Sequence, residues 1–140
     1  MMQIISFPHS LLWRVKTKSD KWTKERIMAI AYLIDAAKKT VSQVEYNNVE
    51  DINRLIGCQT FCLGFADHVT GDTLYVDDEG LLHHPQHFFL FAKRRDQPLA
   101  GNGLMVGREV EGDEYPNGYT TLPPKMTLVA LRKQIVFSIT

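Results

Sequence analysis

The sequence predicts an α+β protein built mainly on antiparallel sheet, with about five to seven short strands and two or three short helices. Three observations lead there. Segments of strand composition outnumber helical ones, the helical segments are short, and the two kinds do not alternate as in a parallel βαβ fold. The stretch Gly71–Leu82 shows the pattern most plainly: Thr73, Tyr75 and Asp77 alternate with Leu74 and Val76, the period-two signature of a strand with one buried face. This segment is taken as the central strand. Asp78-Glu79-Gly80 closes it, because glycine adopts the positive φ of a tight turn without steric cost. Leu81 and Leu82 are then expected to drive the chain back into apolar surroundings.

A chain of 140 residues, 44% of them apolar, is one domain with a core large enough to need no staples. No apolar run approaches the roughly 20 residues of a membrane span. Pro8 and His9 interrupt the apolar part of the N-terminus and its charges follow that part, the reverse of a signal peptide. A cytoplasmic protein is expected, and in a reducing compartment Cys58 and Cys62 are most simply free thiols.

Formal charge sums to zero but is unevenly spread. Met1–Lys39 carries eight bases against three acids, Thr40–Ala92 one base (Arg54) against eight acids, and Lys93–Thr140 seven bases against five acids. An acidic middle disfavours direct nucleic-acid binding, which calls for a basic face.

In chain order, Met2–Phe7 and Leu11–Val15 read as two short strands around Pro8-His9-Ser10, and Lys16–Arg26 as a linker or short helix. Residues 1–27 thus form a basic extension, a short hairpin or helix, ahead of a single α+β domain at 28–140. Asp20–Lys39 reads equally as one helix capped by Asp20, or as a strand Ile27–Ile34, a turn, and a returning strand Thr40–Tyr46. Asn47-Asn48 with Glu50 and Asp51 opens a short helix that Gly57 ends. Gln59–Ala66 is a strand, turned into Thr73–Asp77 by Asp67–Gly71. Pro85 starts a helical turn carrying Phe88, Phe89 and Phe91. Gln97–Gly103 is a compact loop, Leu104–Glu109 a strand interrupted by Gly107, and Glu111–Pro124 an exposed loop. Thr127 caps a last helix with Leu128, Val129 and Leu131 inward, and Ile135–Ile139 is a closing strand.

The order of these pieces carries a likeness. Ala31-Tyr32-Leu33-Ile34-Asp35, Thr40-Val41, Val44-Glu45-Tyr46, Leu55-Ile56-Gly57-Cys58, Leu74–Leu81, Pro85-Gln86 with Phe88-Phe89, Gln97–Leu104, and a late helix leading to Val136-Phe137 together resemble the family described as domain of unknown function 3846. That family consists of small uncharacterised proteins common in phages, prophages and plasmids. The resemblance covers roughly Met28–Ile139 and implies strand, turn and strand at Met28–Tyr46, a mobile-element origin and a host-cell setting. It brings no catalytic residue. The basic extension and the pair His83-His84 depart from the pattern.

Several constellations invite chemistry. Asp72, Asp77, Asp78 and Glu79 miss the spacing of a calcium loop, so Asp78-Glu79-Gly80 is better explained as turn chemistry. His83, His84 and His87 form the sharper cluster: if Pro85 begins a helix, His84 and His87 lie three apart, with Asp77 or Asp78 as third ligand of a metal. No complete motif surrounds them, and solvated or packed histidines are the plainer reading. Cys58 and Cys62 lack the spacing of a zinc or redox pair and read as core thiols. Gly101, Gly103 and Gly107 precede a strand where a dinucleotide fingerprint would precede a helix; they permit tight backbone geometry or a close approach by another chain. Lys93, Arg94 and Arg95, near them in sequence, are the chain's most suggestive anion-binding feature, and with the Gly101-Asn102-Gly103 amides could hold a nucleotide.

The leading expectation is a non-enzymatic binding protein of a phage or mobile element. It would act against host defence as an anti-CRISPR-type or nucleotide-sequestering inhibitor. Its partner would be a host or phage protein or a small anionic nucleotide, with no cofactor and no membrane. Candidate binding residues are Lys93, Arg94, Arg95, Gly101, Asn102, Gly103, Asp77, Asp78 and Glu79. A small metal-dependent hydrolase using His83, His84 and His87 is the alternative, and a homodimer built through sheet edges is a third reading.

Overall fold

Small and β-branched residues spaced two apart build the first hairpin. Ala29–Asp35 (β1) and Thr40–Tyr46 (β2) pair antiparallel along their whole length, from Ala29 opposite Tyr46 to Asp35 opposite Thr40. The Asp35 carboxylate closes the turn by accepting from the Lys38 amide at 3.0 Å. Strand, turn and strand therefore replace the long helix. The computed structural model describes residues 28–82, 87–112 and 119–137, without the side chains of 95–97. The strands expected at Met2–Phe7 and Leu11–Val15, the segment Lys16–Arg26, His83 and His84 lie outside the described residues.

Local chemistry then sets the elements in turn. Asn48 caps α1 (Val49–Ile56) by accepting from the Asp51 amide, and Gly57 ends it in the left-handed region at φ 82°. Phe61–Ala66 (β3) and Thr73–Asp77 (β4) form the second hairpin. In its turn the Asp67 carboxylate accepts from Val69 and Thr70 amides, which are the main reason its pKa is lowered. After β4 comes a single 3-10 turn, Gly80–Leu82, and then Phe88–Phe91 (β5), Arg94–Ala100 (β6), Gly103–Val106 (β7), Glu109–Glu111 (β8) and Tyr119–Thr121 (β9). Thr127 caps α2 (Leu128–Gln134), which runs directly into β10 (Ile135–Phe137).

Among the described residues all pairings are antiparallel, in a five-stranded sheet β2-β1-β7-β4-β3, a three-stranded sheet β10-β5-β6 and the ribbon β8-β9. The α+β class holds, with ten strands among the described residues where about five to seven were expected. No helix among the described residues is long and apolar enough to cross a membrane.

Four local expectations are corrected. The middle strand is β7, not β4: all four residues of Gly-Leu-Met-Val are buried because the sheet is covered on both faces. Phe88–Phe91 is not helical; it pairs with β6 and β10, so its alternate residues Phe89 and Phe91 go inward, and the four apolar residues are shared between two faces. Gln97–Ala100 is no loop but the end of β6, and Pro98 is tolerated there because β6 is an edge strand. Val129 is exposed, since a residue two positions before the buried Leu131 falls on the opposite side of a helix.

The five-stranded sheet carries a core on each face. Tyr32, Ile34, Leu74, Val76 and Met105 meet Phe89, Phe91 and Leu99 of the second sheet and Leu131 and Ile135 at the C-terminal end. On the other face Ala29, Ala31, Leu104 and Val106 meet Ile52 and Ile56 of α1. Tyr46, at the end of β2, joins this second core and shares a hydrogen bond between hydroxyls with Thr121 of β9.

Burial pushes the Tyr46 phenol up to about 12, against the opposing pull of the Thr121 hydrogen bond. A folded pKa above the unfolded one stabilises the fold fully below the unfolded value, near 10, and the gain is lost as pH rises toward 12. The expected loss across that window is about 2–3 kcal/mol. Burial also raises the Tyr32 and Tyr75 phenols and adds slope of the same sign. Denaturant unfolding at alkaline pH should show the decline, and Tyr46→Phe should flatten part of it; an unchanged slope would remove the attribution.

Candidate functional site

Strand β4 delivers the acidic residues to one end of the sheet. Asp77 closes the strand and its carboxylate accepts from the Glu79 amide at 2.9 Å, while the Asp78 amide donates to the Thr60 carbonyl at 3.0 Å. Turn chemistry thus accounts for these contacts, as the residue types imply. Gly80 then lies so close to β6 that a Cβ on it would stand 2.7 Å from the Ala100 carbonyl oxygen. The Leu82 amide donates to the Glu79 carbonyl at 2.9 Å and completes the 3-10 turn.

This geometry overturns the expectation for Leu81 and Leu82. With Gly80 pressed against β6, the next two side chains face away from the core, and they are 66% and 71% exposed. The result is a ridge of two exposed leucines that follows the exposed residues Asp78 and Glu79 across the buried Gly80. A pair of consecutive leucines after a turn was the available signal, since one chain direction cannot bury both on the same side.

The glycine turn comes to the same end of the molecule. Gly101 adopts φ 82°, its amide donates to the His87 carbonyl at 2.8 Å, and its Cβ position lies 3.9 Å from the Asp77 Cβ. Asn102 accepts from the Ala36 amide at 3.0 Å and so ties this turn to the first hairpin. Gly103 is buried in β7, where a Cβ would meet the Phe89 ring at 2.9 Å. The glycines serve close approach within this chain.

Lys93 and Arg94 stand elsewhere, and the Arg95 side chain lies outside the described residues. Six extended residues separate Arg94 from Gly101, about 20 Å along the strand. Lys93 pairs with Asp67 at 3.4 Å, at the opposite end of β4, and the Arg94 guanidinium donates to the Gly64 carbonyl in the irregular part of β3. Neighbours in sequence are therefore not neighbours in space, because β6 is a strand and not the compact loop expected. The described contacts of Lys93 and Arg94 thus lie away from the Gly101–Gly103 turn.

The helix that the metal reading needs would begin at Pro85, and Pro85 and Gln86 lie outside the described residues. His87 precedes a strand, and His83 and His84 lie outside the described residues. Among the described residues no three His, Cys, Asp or Glu side chains are grouped to hold a metal ion. Burial first, then the neighbouring Asp78 and Asp77 carboxylates, pushes the Cys62 thiol up; burial and Asp77 do the same to Cys58. Both are free and partly buried, and each packs against one of the two cores, in keeping with core thiols.

Asp72 is the polar residue whose role local reading missed. It is 3% exposed, and its two carboxylate oxygens accept from the Lys125 and Met126 amides at 2.8 and 3.0 Å. It clamps the segment that leads into α2 onto the β3–β4 hairpin.

One family model, described as Domain of unknown function (DUF3846), matches residues 28–127. No curated protein and no solved structure matches the chain.

Proposed function

Because the chain belongs to the family described as domain of unknown function 3846, we propose that it is a non-enzymatic binding protein that acts by occupying the surface of another protein. The observation that carries this reading is the exposed Leu81–Leu82 ridge beside Asp78 and Glu79. Burying a leucine against a partner gains about 1.5–3 kcal/mol, and two on one turn supply an apolar anchor. By contrast, Asn102, Arg94 and Lys93 already bond within the fold. Apolar contact with a protein is thus favoured over capture of a small anion.

The carboxylates beside the ridge favour a partner whose surface is basic as well as apolar. Effectors that handle nucleic acid must present such a surface. A phage or mobile-element protein that blocks a host defence effector fits this chemistry, in the cytoplasm of the host cell.

The test compares the full chain with Leu81→Asp/Leu82→Asp. Both positions are exposed, so stability should change by no more than about 0.5 kcal/mol. A host defence protein held and inhibited by the unaltered chain should be released by the variant. Retention and inhibition that survive both substitutions would sink the proposal.

A further inference from the structure

Among the described residues the five-stranded sheet ends at β2 on one side and at β3 on the other. An edge strand presents a row of N–H and C=O groups with which a second chain can pair. On β2 those groups can be named. The Ala36 amide donates to Asn102, the residue before β7, so Ile34 and Tyr32 on the same chain also turn their backbone groups toward β7. Val41 stands opposite Ile34 and Gln43 opposite Tyr32. Val41, Gln43 and, by the same alternation, Glu45 therefore turn their backbone groups outward, away from β1.

Arginine side chains meet both edges. Arg132 of α2 donates from Nε to the Val41 carbonyl at 3.0 Å, about where the amide nitrogen of an added strand would stand. On β3 the register shifts between Leu63 and Phe65 and leaves Gly64 outside the regular ladder. The Arg94 guanidinium, from β6, donates to that Gly64 carbonyl. Two arginines from different elements thus make the same kind of contact on opposite edges of one sheet.

We propose that Arg132 and Arg94 are edge guards, which keep the sheet from extending into a second copy of this chain. The inference goes beyond the partner-binding reading and makes no use of the leucine ridge. Two copies of β2 paired antiparallel about Gln43 would set Val41 of one opposite Glu45 of the other. The Val41 carbonyl would then exchange a guanidinium donor for a neutral amide, and by symmetry this happens at both ends of the pair. A hydrogen bond from a charged donor is about twice as strong as a neutral one, so the exchange runs against pairing. On β3 the bulge interrupts the even spacing that an added strand needs, and Arg94 occupies the carbonyl displaced by it.

Light scattering on the full chain tests the guards. The unaltered protein should hold a mass of 16.0 kDa at every concentration. Arg132→Ala should show a mass that rises with concentration toward twice that value, because β2 against β2 closes on itself. Adding Arg94→Ala should carry the mass beyond twofold, because two open edges on one molecule propagate. Arg132 is exposed and alanine is the best helix former, so the single variant should keep the fold by circular dichroism. Arg132→Lys, which retains a charged donor, should stay at the lower mass. Gln43→Pro added to Arg132→Ala should restore 16.0 kDa. The Gln43 amide points outward, so proline takes nothing from the β1 ladder while denying a bond to an added strand. A folded Arg132→Ala variant that keeps the unaltered mass at the highest concentration would overturn the proposal. Association that Gln43→Pro leaves in place would overturn it too, since it would run through another surface.

Discussion

Asp72→Ala should lower the unfolding free energy by about 3–5 kcal/mol, the largest effect expected of any polar substitution among the described residues. Each hydrogen bond to a charged acceptor contributes about 1.5–3 kcal/mol, and Asp72 accepts two, from the consecutive amides of Lys125 and Met126. The bonds to Lys125 and Met126 are part-buried, so the lower and middle part of that range applies. The Asp72 backbone is itself fixed, accepting from the Asp67 amide at 2.8 Å, so the carboxylate cannot follow a moving partner. Asp72→Asn should fall between the two, because one carbonyl oxygen survives while the amide nitrogen faces a second donor. Denaturant unfolding at constant m-value measures both. A loss under about 1 kcal/mol for the alanine variant would mean that the clamp is not what joins this segment to the hairpin.

Gly107→Ala is the second large loss, about 3 kcal/mol, at the upper end of overpacking costs. A Cβ at Gly107 would meet the carbonyl oxygens of Leu122 and Pro123 and come within 2.7 Å of the Pro123 carbonyl carbon. These are backbone atoms on a segment held by the Leu122 amide donating to the Arg108 carbonyl at 2.8 Å, so no rotamer change relieves the contact. Gly107 does not have a positive φ, so the cost is steric and not conformational. Relief must come from moving the 122–126 segment, and Gly107→Ala should therefore weaken the Asp72 clamp as well. The combined Asp72→Ala/Gly107→Ala variant should lose less than the sum of the single losses. Strict additivity would show that the two positions act on separate parts of the fold.

Both substitutions strike the connection that carries α2 and β10, and hence Val136 on the outer face of the second sheet. They should impair binding through loss of the fold, whereas Leu81 and Leu82 substitutions should impair it with the fold intact. That contrast separates a contact from its support.

The parts legible in sequence share one property: their partners are close along the chain. Asn48 capping through the Asp51 amide and Thr127 through Ala130 span three residues each. Gly57 is left-handed where the helix stops, and Asp67 and Asp77 bond amides two or three positions on. In these cases the side chain and its partner are set by the same few dihedral angles, so residue type predicts geometry. The strand character of Ala29–Asp35 was not settled that way. Helical and extended patterns both fit the residues, and only the likeness to a family chose between them.

What residue order alone determined, then, was the α+β class, the caps, the turns and the free thiols. Tertiary structure decided the rest: that Phe88–Phe91 and Arg94–Ala100 are strands, that β7 lies in the middle, that Leu81 and Leu82 face outward, and that Lys93 and Gly101 are far apart. The physical reason is the separation of the partners. Asp72 meets Lys125 across 53 positions, Asn102 meets Ala36 across 66, and Arg132 meets Val41 across 91. A strand exists only once its neighbours supply the other half of its hydrogen bonds, and which side of it is buried depends on what those neighbours bring.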